Sequence, residues 1–329
     1  MNSKMMGWGI AVLVSMAGTV LAAEELKISC RSADKGDGLT PKSARFSRCP
    51  GDPDARSPAK CAADAKRPCW QWKTRKGDLD CLVNDGHVQG MCCDETGVYL
   101  SYAGGITKFD WQAHKLVETR GPTHLGDSFS YKGKVYAAFA LREPKVVDGK
   151  KMRGMIAVYD GTTLKLEKSK LFDEPMDGCC VINGVIYSSP DRWGKNGGNN
   201  AHALIRRFDL ELNDLGITEL DFGFKMHYGV QTMATDGTNL YCCCYSKQSN
   251  TAVLTPDLKL LGTCRFRGSE GFCRVPESVV GKSKGSCFAV VHACGGNMRG
   301  WRADPKGNPP QIELKLVPLS AVLKPSQSK

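Results

Sequence analysis

The sequence predicts an all-β protein of the β-propeller class with five blades, and three observations carry that reading. Aspartates recur at Asp110, Asp160, Asp209, Asp257 and Asp304, at intervals of 50, 49, 48 and 47 residues. Each ends a short strand-like run (ITKFD, MIAVYD, LIRRFD, AVLTPD, RGWRAD) and precedes a polar or Gly/Pro turn. The apolar runs lack helical periodicity, and the 36 Gly and 16 Pro among 329 residues supply the turns between them. A period of roughly 40 to 50 residues built from short strands is the signature of sheets arranged around an axis.

The first 23 residues read as a secretory signal peptide. Lys4 precedes an apolar stretch, GWGIAVLVSMAGTVL, and Leu21-Ala22-Ala23 offers small side chains for cleavage. The stretch is short for a membrane span, so no stable span is expected after its removal. The protein is therefore expected to be secreted or periplasmic. Residues 24–80 lack the repeat and hold ELKISC, a polar basic run and CWQW. They read as a Cys-rich cap or side extension, or as a degenerate sixth blade, which would make the propeller six-bladed. The propeller itself spans 81–320, and 321–329 reads as a disordered tail.

Within 81–320 each blade begins with an innermost strand (HVQGMCC, GDSFSY, DGCCVI, VQTMAT, GFCRVP), followed by a second (GVYLSY, KVYAAFAL, VIYSSP, NLYCCCY, SCFAVVHA). Tyr99, Tyr136, Tyr187 and Tyr241 mark one position in four of the second strands. An aromatic shared in this way packs blades together. Two further strands flank the recurring Asp, whose carboxylate bonds its own backbone at a bend, so the five Asp are structural. In the last blade DPKGNPP is the corresponding turn and IELKLVPL the outer strand.

The formal charge is +11. In an exported protein this argues against nucleic acid and favours anionic polysaccharide, envelope glycan or an acidic protein as partner. Of sixteen cysteines, Cys30, Cys49, Cys61, Cys69 and Cys81 suit disulfides stapling the extension. Cys92-Cys93, Cys179-Cys180 and Cys242-Cys243-Cys244 lie within strands, where neighbours face opposite ways and cannot share a partner. Buried free thiols are the alternative there. No CxxC pair occurs, and neither a GxxxxGK loop nor an HExxH helix is present. These absences leave zinc ribbons, dithiol redox motifs, P-loop nucleotide hydrolysis and zincin chemistry without support.

Inner strands converge at the axis, and the links entering them share one face with the links between second and third strands. Aligning the inner strands makes Gln89, Gly126, Asp177, Gln231 and Glu270 equivalent, a polar ring near the upper face. Asp85, His87, His124, Asp127 and His227 lie beside it, and His87 and His124 each stand 12 residues before their blade tyrosine. Asp85, Asp127, Asp177 and Glu270 are the candidate catalytic carboxylates, since glycoside hydrolysis needs two with different proton affinities. His87, His124 and His227 are candidate ligands of a divalent metal in the channel, with Asp177 or Glu270 completing the shell. Equally, these groups can bond one another and water in a wet channel.

Two links between second and third strands are long: LREPKVVDGKKMRG in blade two and PDRWGKNGGNNAH in blade three. Arg192, Trp193 and His202 offer a guanidinium, an aromatic face and an imidazole suited to a sugar ring and its acid group. Arg142, Lys150, Lys151 and Arg153 make that rim basic, and His292, Asn297 and Arg299 extend it.

In architecture and acid placement the chain resembles five-bladed propeller glycosidases, whose inner strands surround a sugar with acidic residues. That resemblance implies saccharide binding on the upper face, with hydrolysis as its enzymatic form. In that form Asp85 or Asp127 is base or nucleophile and Asp177 or Glu270 the acid. A non-catalytic interaction scaffold in the cell envelope is the alternative from another class.

Overall fold

Strands that are buried on both faces read as near-continuous apolar runs, and the second strand of the first blade demonstrates why. In GVYLSY, Val98, Leu100 and Tyr102 enter one core, and Tyr99 enters the next. Each sheet is thus sandwiched between two neighbours. The computed structural model describes residues 28–29, 88–102, 105–111, 115–121, 124–190, 200–245, 251–264, 266, 268–280, 287–294 and 311–319. Residues 1–23, most of 24–80 with its four cysteines, Cys81, Asp304 and residues 321–329 lie outside the described residues.

The first blade is an antiparallel meander of β2 (Val88–Asp94), β3 (Gly97–Tyr102), β4 (Gly105–Phe109) and β5 (Lys115–Arg120). The second is β6 (Leu125–Tyr131), β7 (Lys134–Val147), β8 (Lys150–Asp160) and β9 (Leu166–Phe172). The third holds β10 (Met176–Ile182), β11 (Val185–Pro190), β12 (Asn200–Asp209) and the first part of β13 (Asp214–Thr235). The later part of β13 is the inner strand of the fourth, followed by β14 (Leu240–Tyr245), β15 (Thr251–Leu254) and β16 (Leu260–Cys264). Because β13 runs from rim to axis without a break, the third and fourth blades form one hydrogen-bonded sheet. A last sheet holds β17 (Phe272–Arg274), β18 (Cys287–Cys294) and β19 (Gln311–Pro318). The fold is therefore all-β and propeller-like, with four four-stranded blades and one three-stranded sheet among the described residues. Near the N-terminus, β1 (Ile28–Ser29) pairs parallel with β16 at the outer edge of the fourth blade.

Five apolar cores fill the gaps between neighbouring sheets. Tyr99 and Ile106 meet Val135 and Phe139; Tyr136 and Val158 meet Ile186 and Phe208; Tyr187 and Ile205 meet Met233 and Cys242. The three-stranded sheet packs Phe272 and Phe288 against Tyr241 and Val253 of the fourth blade. Its Cys273 and Ala289 face Met91 and Leu100 of the first. Phe272 and Phe288 stack at 4.5 Å between ring centroids. Each such side chain fully buried stabilises the fold by roughly 1.5–3 kcal/mol. The cysteines follow the same alternation: Cys92 and Cys93 enter different cores, as do Cys179 and Cys180, and Cys243 faces away from Cys242 and Cys244.

The recurring bend is confirmed in kind and corrected in one position. Asp160 accepts the amides of Thr162 and Thr163, and Asp209 those of Glu211 and Asn213. In the fourth blade the equivalent residue is Thr255, two before Asp257: Thr255 N bonds Lys259 O, as Asp160 N bonds Lys165 O and Asp209 N bonds Asn213 O. What repeats is a buried leucine in the left-handed region at the bend: Leu164 (φ 53), Leu212 (φ 66) and Leu258 (φ 65). The blade tyrosines reach these bends across the gap. Tyr99 OH lies 2.6 Å from Gly161 O, and Tyr187 OH donates to Pro256 O at 2.8 Å, the residue after the pivot in both cases.

Candidate functional site

The polar ring is built by a bulge at the same place in four inner strands. Pairing with the second strand slips between Val88 and Gly90, Leu125 and Ser128, Met176 and Cys179, and Val230 and Thr232. A bulge re-aims side chains, here toward the axis. Cys92, Phe129, Cys180 and Ala234 oppose the four blade tyrosines, so Gln89, Gly126, Asp177 and Gln231 are in true register. In the three-stranded sheet Arg274 opposes Phe288, which makes Gly271 the equivalent residue and puts Glu270 one position early, in a turn.

Asp127 is the hub of this ring. Its side chain is fully buried at 0% exposure, and its Oδ2 accepts Met233 N at 2.7 Å from the fourth blade and Cys179 N at 3.3 Å from the third. Gly90 of the first blade lies so close that a Cβ there would meet Asp127 Oδ1 at 2.2 Å. Gly126 stands in the same relation to Asp177, also at 2.2 Å. Glycine is thus required by close approach, in strands that otherwise disfavour it. Asp177, at 3% exposure, accepts Gln231 Nε2 at 2.7 Å. Asp127 Oδ1, Asp177 Oδ1 and Gln89 Nε2 have no hydrogen-bond partner among the described residues.

Burial pushes the Asp127 carboxyl well above the ordinary range, against the pull of three backbone amides. Burial raises Asp177 to about 7, with the Gln231 hydrogen bond opposing it. A general acid needs such a shift, but it also needs contact with substrate. Here the two carboxyls are sealed among inner strands and bonded to protein. They tie four blades together and are not among the residues that line the cavity described below.

The other candidates that are described lie on several elements. His124 has a left-handed backbone (φ 65), and its carbonyl accepts Ala140 N at 2.9 Å. His202 lies on β12 with Nδ1 3.7 Å from Glu219 Oε1, both half-exposed. His227 and His292 lie on β13 and β18, and Arg142 on β7; their side chains are outside the described set. Asp85, His87, Arg192, Trp193, Asn297 and Arg299 lie outside the described residues. Among the described residues no group of three His, Cys, Asp or Glu side chains could hold a metal ion.

The long link of the second blade is no loop. β7 and β8 extend as a hairpin beyond the sheet, pairing Lys145 with Met152, Val146 with Lys151 and Val147 with Lys150. Asp148 (φ 50) and Gly149 (φ 74) form its two-residue turn, the pair of positive φ values that matches strand twist. It projects from the face on which the inner strands begin. Lys145, Lys150, Lys151 and Arg153 are exposed, and none takes part in an ion pair among the described residues. Val146 and Val147 at the tip are 67% and 38% exposed.

The opposite face holds features that sequence reasoning missed. A cavity of about 920 Å³ opens where the inner strands end, lined among others by Asp94, Lys108, Lys132 and Arg274. On its wall Lys108 Nζ, although buried, donates to Tyr99 OH at 2.7 Å and Gly161 O at 2.8 Å, and pairs with Asp94 at 3.4 Å. Burial would raise the Asp94 carboxyl, but hydrogen bonds from Thr96 and Tyr99, with the Lys108 charge, hold it below the ordinary value. The Asp94 and Tyr99 spacing recurs as Asp236 and Tyr241, bonded at 2.7 Å, a signal that was present in the sequence.

No family model and no curated protein matches the sequence. Among solved structures, Myxococcus xanthus glutaminyl cyclase is similar over 76% of this chain and 95% of that one, at 12% identity and a TM-score of 0.49. The Pan2 WD40 domain of Neurospora crassa is similar over 71% and 76%, at 8% identity and a TM-score of 0.38. Neither likeness bears on activity, and the propeller-like arrangement rests on the sheets and inter-sheet cores described above.

Proposed function

We propose that the chain is an exported five-bladed propeller that binds an anionic saccharide through its upper face, as a binding protein and not as a hydrolase. The three-stranded sheet is then the fifth blade, a reading supported by the cores on both its sides. One observation carries the binding reading: the β7–β8 hairpin presents Lys145, Lys150, Lys151 and Arg153 to solvent without acidic partners among the described residues, beside two exposed valines. Unpaired cations around a small apolar tip suit a ligand with carboxylate or sulfate groups on an otherwise apolar ring face. The charge of +11 favours the same class of partner. Arg192 and Trp193 of the neighbouring link extend the surface in this reading.

Hydrolysis is set aside because Asp127 and Asp177 are sealed and engaged in structural hydrogen bonds. The test is a panel of sulfated, uronic-acid and neutral polysaccharides, measured for binding and for release of reducing ends. Binding to the acidic polymers that weakens with salt, without release, is expected. Equal binding to neutral polymers overturns the anionic reading, and release of reducing ends that survives in Asp127→Asn and Asp177→Asn places the chemistry on other residues, Asp85 first. Affinity for an acidic envelope protein with none for glycans replaces this reading with the scaffold. Bound divalent metal in the purified protein would revive the channel site built on His87, His124 and His227.

A further inference from the structure

The ring closes where the first blade meets the three-stranded sheet, and no strand hydrogen bonds cross that junction among the described residues. Among the described residues the joint is made by packed side chains, one of which reaches a backbone carbonyl. In its core Cys93 of β2 and Cys273 of β17, 180 residues apart in sequence, bring their Sγ atoms to 3.3 Å, and the Cys93 thiol donates to Arg274 O at 3.1 Å. Both are free thiols, both are buried (9% and 2% exposed), and both border the 920 Å³ cavity of the lower face. That volume is within the range of pockets that admit small molecules.

We infer that Cys93 and Cys273 are an oxidisable pair, a modification site that locks the two ends of the ring together. The sulfurs need approach by only about 1.2 Å to reach bonding distance. The oxidant is a low-molecular-weight disulfide. The Cys93 sulfur, the more exposed of the two, gives up its proton and attacks one sulfur of that disulfide, and the first thiol departs. The Cys273 thiolate then attacks Cys93 Sγ, breaking the mixed disulfide and releasing the second thiol. Two electrons pass from the cysteines to the oxidant, and the two protons end on the departing thiols. Burial raises the Cys273 thiol, so little of it is thiolate at neutral pH, and the second, intramolecular attack quickens as pH rises. The resulting loop is long, and a cross-link closing a long loop stabilises most by restricting the unfolded chain.

The experiment uses the full chain, fully reduced and then incubated with oxidised glutathione, alkylated, digested and mapped. A peptide joining Cys93 to Cys273 is expected, together with a rise in Tm on the order of 10 °C that dithiothreitol reverses. Cys93→Ser and Cys273→Ser each remove the rise without changing the Tm of the reduced protein by a comparable amount. Absence of that peptide from oxidised wild-type protein overturns the inference, whether or not the variants fold. So does an undiminished rise in Cys93→Ser, which would assign the effect to other cysteines.

Discussion

The axis and the β7–β8 hairpin are both polar, and they use polarity in opposite ways. At the axis Asp127 and Asp177 are shut away from water, and their charged forms are opposed by burial and answered by amides from other blades. On the hairpin the cations remain hydrated and take part in no ion pair among the described residues. A buried group without its partners is strongly destabilising, whereas an exposed one is nearly neutral until a ligand arrives. In the reading proposed above, Asp127 and Asp177 are structural, and binding falls to residues that the fold does not need.

That contrast can be broken first at its strongest point. Asp127→Ala leaves buried amides of the second, third and fourth blades without an acceptor, and a loss of about 3–5 kcal/mol in denaturant unfolding is expected. A loss below about 1 kcal/mol would mean that the axis is wet and Asp127 dispensable.

The next effect is on pH dependence. With Asp177 raised from 3.8 to about 7, the folded state holds a proton that the unfolded state lacks between those values. Stability from this group is therefore greatest below pH 4 and declines until about pH 7, by on the order of 4 kcal/mol at most. Asp127, raised by burial, acts with the same sign. Asp94, Asp160, Asp209 and Asp214 are lowered and lose their contribution only below about 3.8. Asp177→Asn should flatten the decline between pH 4 and 7, and an unchanged slope would place that titration elsewhere.

Replacing Lys145, Lys150, Lys151 and Arg153 together by serine should weaken binding to an acidic polysaccharide at least about tenfold at low salt. Its effect on unfolding should stay within about 1 kcal/mol. Equal losses of binding and stability would show that the hairpin belongs to the fold after all. The smallest expected effect is at the bend: Thr255→Asp should change stability by no more than about 0.5 kcal/mol, because Thr255 Oγ1 already accepts Lys259 N at 3.1 Å.

The blade register was legible because it depends on local repetition. Tyr99, Tyr136, Tyr187 and Tyr241 recur at one strand position, and the inner strands aligned on them place Gln89, Gly126, Asp177 and Gln231 correctly. Reading aspartate as the bend itself misplaced the fourth pivot, since the conserved geometry is the left-handed leucine and Thr255 can serve before it. Glu270 was misaligned because the last sheet presents Phe288 where the others have tyrosine, leaving no marker. Whether the ring was open or sealed was not legible at all. Asp127 is enclosed by Gly90, Cys179 and Met233, up to 106 residues away, and no local pattern announces that meeting. Lys108 escaped notice for the same reason, its partners lying on the hairpin of its own blade and the bend of the next.

The unbroken course of β13 has a consequence for how this chain can diversify. Elsewhere the passage from rim to hub is a turn that could lengthen; between the third and fourth blades it is a spoke of paired backbone, with Gly223 (φ 71) as its pivot. An added residue along that spoke would displace Gln231 and Met233 from Asp177 and Asp127 at once. New surface loops can therefore be grafted onto the hairpin tips, while this span of the molecule must keep its length.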